Sequence, residues 1–224
     1  MQGWMNRIRF RREPFAEYVL QMIDSNVGNN IMIATDRKLF DNKAMQTIQP
    51  QLETKRLVLR QFQFSDCHNI QALISDYEVA KTTYSIPHPY TLENACGWVM
   101  RQKKGWDGRS NISYGLFEKR SQELIGCTSL QNIFNDESQL GYWIGRSYWN
   151  RNYCTEATSA LVQFAHARLG INKIYAEHQD DNPASGSVLK KLGFASVESV
   201  MKPDRTGNQT LVNVYCIDLK SNSL

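Results

Sequence analysis

Between Lys173 and Phe194 the chain leaves itself few alternatives. KIYAEH places apolar residues at alternate positions, as a strand does, and DDNPASGSVLKKLGF follows at once. Asn182 suits a helix N-cap, and Pro183 the first helical position, where its missing N–H costs nothing. Gly193 suits the left-handed residue that ends a helix. Ala184, Val188, Leu189 and Leu192 recur at helical spacing and form the expected buried stripe.

The same order of strand, turn and helix occurs just upstream. LGYWIG (residues 140–145) reads as strand and YWNRNYCTEA (residues 148–157) as a turn opening a helix. Ala157, Leu161, Phe164, Ala165 and Leu169 then share one face before Gly170 stops it. The first amides of a helix have no intrahelical acceptor, so such a junction is a ready anion cradle. Cradles of this kind usually carry glycine where the backbone must approach a phosphate. Here Asn150 and Asn152 hold the middle of the turn, with Arg151 between them and Cys154 just beyond. The pattern is neither a Walker A nor a G-x-G-x-x-G loop. Read alone, an ordinary strand-to-helix turn explains it at least as well.

The rest of the chain alternates in the same way. RLVLRQF (56–62) reads as strand, and Ser65 and Asp66 sit where they would cap a helix over 70–74. Thr91 is placed to cap a helix running through Met100. Three strands are expected over 112–117, 124–130 and 139–145, the last two joined through FNDES. Two closing strands, 195–201 and 210–219, flank the polar turn PDRTGN. These elements make an α+β domain with a largely antiparallel sheet covered by helices. It spans residues 52–219, between an N-terminal extension (1–51) and a short tail (220–224). The extension is expected to hold a short helix over 14–24 and a small strand over 31–34.

Composition narrows the chemistry. Five cysteines, scattered and odd in number, argue for reduced thiols over a disulfide framework, and four histidines at no ligand spacing predict no metal. No apolar run approaches the roughly 20 residues of a membrane span, and no signal-length stretch follows the first arginines. A cytoplasmic address and no membrane partner are expected. The net charge of +4 equals the count of Arg7, Arg9, Arg11 and Arg12, which no acid offsets within residues 1–12. The remaining chain is balanced, so a solvated tip is preferred and nucleic acid is not expected as a partner.

Taken together, LETKRLVLR, IPHPYTLENACGWV, ELIGCTSLQNI, LGYWIGRSYWNRNYCTEATSALVQFAH and LGINKIYAEHQDDNPASGSVLKKLGF resemble the GCN5-related N-acetyltransferase (GNAT) superfamily. The similarity is to its branch that acetylates ribosomal-protein N-termini (RimJ/RimL-like), and it covers about three-quarters of the chain in order and spacing. It implies a mixed, mostly antiparallel sheet with helices on both faces, in which the strand at 141–145 splays from a parallel neighbour at 173–178. It also implies acetyl transfer from acetyl-CoA to an amine by direct attack, without a metal.

On that resemblance the pantetheine arm would pair with backbone near Tyr142, Trp143 and Ile144, with an oxyanion donor near Ile144 N–H. The pyrophosphate would lie on Asn150, Arg151, Asn152, Tyr153, Cys154 and Thr155. The usual glycines of this motif are asparagines here, which tolerate the left-handed region better than other side chains. Cys154 reads as a small apolar filler, although a helix N-terminus also lowers a thiol pKa. Asn182 would hydrogen-bond the pantetheine side, and Ser185 would protonate or orient the departing thiolate, since the later tyrosine position of other relatives is Leu189. For the base, Gln139 stands where relatives carry glutamate. Glu137 is the choice, with Glu177 and His178 as the other candidates. Tyr84, His88 and Tyr90, with the hairpin at Phe134, would line the acceptor pocket.

The expected function is therefore N-acetylation of a primary amine, either a protein N-terminus or a small molecule. The alternative is a CoA-binding or ribosome- or nucleic-acid-associated module that has kept the fold and lost turnover. A homodimer built through the N-terminal extension is compatible with either.

Overall fold

A computed structural model describes residues 48–83, 86–204 and 206–220. The helix and strand expected over 14–24 and 31–34, and Tyr84, lie outside the described residues.

Among the described residues eight strands form one sheet: β1 (Leu52–Glu53), β2 (Leu57–Arg60), β3 (Ile112–Glu118), β4 (Leu124–Phe134), β5 (Glu137–Ile144), β6 (Lys173–Gln179), β7 (Ala195–Pro203) and β8 (Gln209–Asp218). Their spatial order is β1-β2-β3-β4-β5-β6-β8-β7. Every neighbouring pair is antiparallel except β5–β6. Among the described residues five α-helices flank it: α1 (Cys67–Ile74), α2 (Tyr77–Ala80), α3 (Leu92–Asp107), α4 (Tyr153–Leu169) and α5 (Pro183–Lys191).

The sheet separates two cores. On one face Ala157, Leu161, Ala165 and Leu169 of α4 pack with Leu57, Leu116, Ile144 and Leu189. On the other, Cys67 and Ile70 of α1 and Ala95 and Val99 of α3 pack with Phe117, Cys127 and Trp143. Helices thus cover both faces, and alternation along β5 sends Ile144 to one core and Trp143 to the other.

Local signals set most boundaries. Gly170 (φ 67°) and Gly193 (φ 85°) are left-handed and follow α4 and α5. Asn182 caps α5, its Oδ1 accepting from Ser185 N–H at 3.2 Å, with Pro183 at the first position. Thr91 caps α3 through Asn94 N–H at 3.1 Å.

Three expectations fail. First, α3 runs to Asp107 instead of stopping near Met100, because buried Trp106 anchors its last turns. Second, Asp66 does not cap α1. Its buried carboxylate accepts Gln63 N–H at 2.7 Å and both guanidinium nitrogens of Arg60 at 2.9 Å, closing a short 3-10 turn instead. Third, Ala184 is exposed at the mouth of a cleft, and the buried side of α5 is carried by Gly186 and Leu189. At the other end, Lys220 is fixed by an ion pair to Asp136 at 2.7 Å.

Candidate active site

The parallel pairing of β5 with β6 runs from Glu137↔Lys173 to Leu140↔Ala176 and then ends. Beyond it β5 stays with β4 as far as Ile144↔Gly126, while β6 stays with β8 as far as Gln179↔Val212. A wedge opens between two strands that are still extended. It is part of a cleft of about 1210 Å³ that passes from one face of the sheet to the other.

Backbone polarity in the wedge follows from the ladder. Gly145 N–H donates to Ile125 C=O at 2.9 Å, so alternation turns the backbone groups of Tyr142 and Ile144 away from β4. The Ile144 carbonyl accepts the Trp149 indole N–H at 2.7 Å. Ile144 N–H and both groups of Tyr142 therefore face the wedge.

At its mouth lies the asparagine turn. Asn150 and Asn152 both have φ 60°, the left-handed region where glycine is the usual occupant. Asn152 is held there by its side chain, whose Oδ1 accepts from Lys191 Nζ at 2.8 Å. The first bond of α4 runs from Glu156 N–H to Asn152 C=O at 3.1 Å, so the amides of Tyr153, Cys154 and Thr155 precede it and lack intrahelical acceptors.

The turn is braced from behind. Glu156 accepts Thr54 Oγ1 at 2.6 Å, Arg56 N–H at 2.8 Å and Arg56 Nε at 2.7 Å, while Arg56 Nη2 donates to the Arg151 carbonyl at 2.9 Å. Burial pushes the Glu156 carboxyl up, but these donors together hold it below the usual range. Tyr153 Oη donates to Glu118.

Deep in the wedge, Tyr142 Oη lies 2.8 Å from Ser185 Oγ and 3.1 Å from Ser185 C=O. Burial, with the nearby Cys154, pushes the Tyr142 phenol above its ordinary value, so it stays protonated. Burial likewise pushes the Cys154 thiol up to about 12, opposite in sign to the effect of the helix N-terminus. Cys154 packs against the core as a neutral thiol, which favours its reading as a filler. Burial also pushes the Tyr90 phenol up to about 12.

The cleft brings together Trp143, Ile144 and the whole turn from Asn150 to Thr155 with Asn182, Ser185 and Tyr90. It does not bring in Glu137. That side chain stands exposed where β5 and β6 are still paired, 3.9 Å from Lys173 Nζ. His88 is exposed and stacks edge-on to Tyr77, and Phe134 is 72% exposed, so both stand off the cleft wall. Gln139, Glu177 and His178 do line it. Glu177 is bound to Lys202 at 2.6 Å. His178 has Nδ1 2.7 Å from the Gln179 carbonyl, so that nitrogen carries the proton, and Nε2 is buried without a partner.

Sequence reasoning missed the Tyr142 hydroxyl, Lys191, and the α3 residues Asn94, Trp98 and Arg101 on the opposite wall. The spacing of the α3 residues, i, i+4 and i+7, was a readable stripe. The other two depend on contacts between distant segments. Among the described residues, no group of three or more His, Cys, Asp or Glu is placed to hold a metal, and no helix is long and apolar enough to cross a membrane.

Residues 56–195 match the model of the acetyltransferase (GNAT) domain. An uncharacterised N-acetyltransferase of Bacillus subtilis, YoaA, is 30% identical over 172 residues, covering 75% of this chain and 96% of its own. The ribosomal protein uS5-alanine N-acetyltransferase of Escherichia coli is 28% identical, covering 64% and 77%. Among solved structures, RimL, a ribosomal L7/L12 α-N-protein acetyltransferase in complex with coenzyme A, superposes with a TM-score of 0.71 at 18% identity. That superposition covers 77% of this chain and all of the other.

Proposed function

The chain belongs to the GNAT acetyltransferase family and takes its acetyl group from acetyl-CoA, and on that premise we propose that its acceptor is the α-amine of a protein N-terminus. The reading draws on the likeness to the uS5-alanine enzyme, and the observation that carries it is the wedge in the sheet, open on both faces, with a hydroxyl pair at its apex.

The residues present fit acetyl-CoA. Backbone groups of Tyr142 and Ile144 are turned to the wedge as a strand-like arm requires, and uncommitted amides at the start of α4 stand beside the cations Arg151 and Lys191. Asn182 and Trp143 would flank the arm. Acetyl-CoA supplies an activated thioester. Ile144 N–H would stabilise charge on the acyl oxygen, and Ser185, oriented by Tyr142, would give its proton to the departing sulfur as the C–S bond breaks, the proton that the amine sheds on becoming an amide restoring the hydroxyl. Tyr90 would wall the acceptor side.

Neither glutamate candidate is free to act as base, since Glu177 is committed to Lys202 and Glu137 stands elsewhere. The attacking amine would then enter neutral by its own pKa, about 7.7–8.0 for an α-amine. The rate with a peptide acceptor should rise with pH through that range. The five free thiols suit a cytoplasmic address.

The test is thiol release from acetyl-CoA with a peptide panel, comparing each free N-terminus with its N-blocked counterpart that retains a lysine. Transfer to the free terminus alone is expected. Transfer to lysine in the blocked peptide, or to small amines only, would replace this reading.

A further inference from the structure

The two mouths of the cleft are walled by different elements. The mouth at α4 and α5 has Arg151 and Lys191 beside the amides of the asparagine turn. The other is walled by α3, where Asn94, Trp98 and Arg101 fall at i, i+4 and i+7 and make one stripe facing the cleft, with Tyr90 just before the helix. Its floor is the end of β4 and the start of β5, where Ser129, Gln131 and Gln139 bring polarity without charge.

Among the described residues three acids line the cleft, and the two glutamates each have a cation. Glu78 pairs with Lys81 at 2.7 Å and Glu177 with Lys202 at 2.6 Å, while Asp181 reaches Lys81 only at longer range, outside ion-pair distance. Arg101 has no carboxylate within ion-pair distance among the described residues. Its charge is felt by Tyr90, whose phenol it draws down against the larger effect of burial. The guanidinium folds back over Gly97, where a Cβ would stand 3.4 Å from Nη1.

We propose that Arg101 selects acceptors bearing a carboxylate close to the reacting amine, namely N-terminal segments with Asp or Glu among their first residues. The proposal rests on the α-amine reading above. An arginine fork takes a carboxylate through two parallel hydrogen bonds, and a neutral floor leaves no competing anion. The carboxylate of a very short peptide has the same chemistry, so the test separates the two sources.

The full-length protein, saturated with CoA, is titrated calorimetrically with three peptides: Ala-Asp-led and Ala-Asn-led peptides with amidated C-termini, and a free-acid Ala-Ala dipeptide. The Ala-Asp peptide should bind about fivefold tighter than its Ala-Asn partner, the gain of an exposed ion pair. That preference should shrink as salt rises from about 50 to about 500 mM. Arg101→Gln should remove it and Arg101→Lys should keep part of it. In turnover the loss should fall on KM for the peptide and spare kcat. Equal affinities in the wild type, no peptide binding at all, or a preference that survives Arg101→Gln would overturn the proposal. Preferential binding of the dipeptide alone would overturn the peptide source. The α-amine reading fails separately, if peptides bind as described but are not acetylated at the N-terminus.

Discussion

Tyr142 Oη sits within hydrogen-bonding distance of both the hydroxyl and the carbonyl of Ser185, at 2.8 and 3.1 Å. The carbonyl can only accept. When the phenol donates there, Ser185 Oγ–H points to the phenol oxygen, and a small rotation turns it to the cleft. Ser185→Ala should therefore lower kcat by about 10²-fold, within the usual range for a positioned acid, with little change in KM for acetyl-CoA. Tyr142→Phe should lower kcat by a smaller factor, and the double variant should be no worse than Ser185→Ala, because the two act as a unit. Initial rates of thiol release decide it. Full activity in Tyr142→Phe would reduce the phenol to packing.

The asparagine turn makes a second prediction. A β-branched residue at φ 60° is strained by about 1–2 kcal/mol, so Asn152→Val should weaken acetyl-CoA binding about tenfold, whereas Asn152→Gly should retain it. Lys191→Ala separates two roles for the ammonium that reaches Asn152. If it acts by holding that side chain, the loss should be large in wild type and small in Asn152→Gly. If it acts as a charge, the two losses should be equal. Calorimetry on the four proteins reads the difference.

Gly186 meets His178 across the β6–α5 contact. A Cβ on Gly186 would stand 2.7 Å from His178 Nε2, so Gly186→Ala forces the ring or the helix to move. A cost of about 2 kcal/mol, roughly 4–8 °C in Tm, is expected by thermal melting. Adding His178→Ser should restore much of it. A single variant as stable as wild type would show that α5 shifts freely here.

The brace behind the turn should be visible in acid. Glu156 has a depressed folded pKa, so its contribution is fully present above the unfolded value of about 4.3 and is lost as pH falls through the folded value. Glu156→Gln should be less stable than wild type by about 1–2 kcal/mol at pH 7, and the gap should narrow as pH falls through the folded value. Denaturant midpoints across that range test it. A gap independent of pH would mean that shape, and not charge, matters at this position.

How much of this was legible in sequence depended on distance along the chain. The turn that opens α4, the Asn182 cap and the stops at Gly170 and Gly193 are local, so residue type and spacing announced them. Asp66 was misread because its strongest partner, Arg60, lies behind it on β2 and not ahead in the helix. Glu137 looked suitable because strand alternation puts it on the same side as Gln139. Alternation cannot say where two strands part, and at Glu137 the β5–β6 ladder is still closed. Ser185 and Tyr142 are 43 residues apart and meet only through the sheet, so no local pattern linked them.

The end of the β5–β6 ladder at Leu140 and Ala176 gives the sheet an edge in its middle. Outer edges invite other chains to add a strand, which proteins guard against with charge, bulges or short length. This one is guarded by enclosure, since α3 stands over one mouth and α4 and α5 over the other. A narrow, strand-like arm can enter where a second protein's sheet cannot. Pairing that any other edge must discourage can here be kept for a substrate, and the folded protein should gain stability in proportion to how tightly that substrate is held.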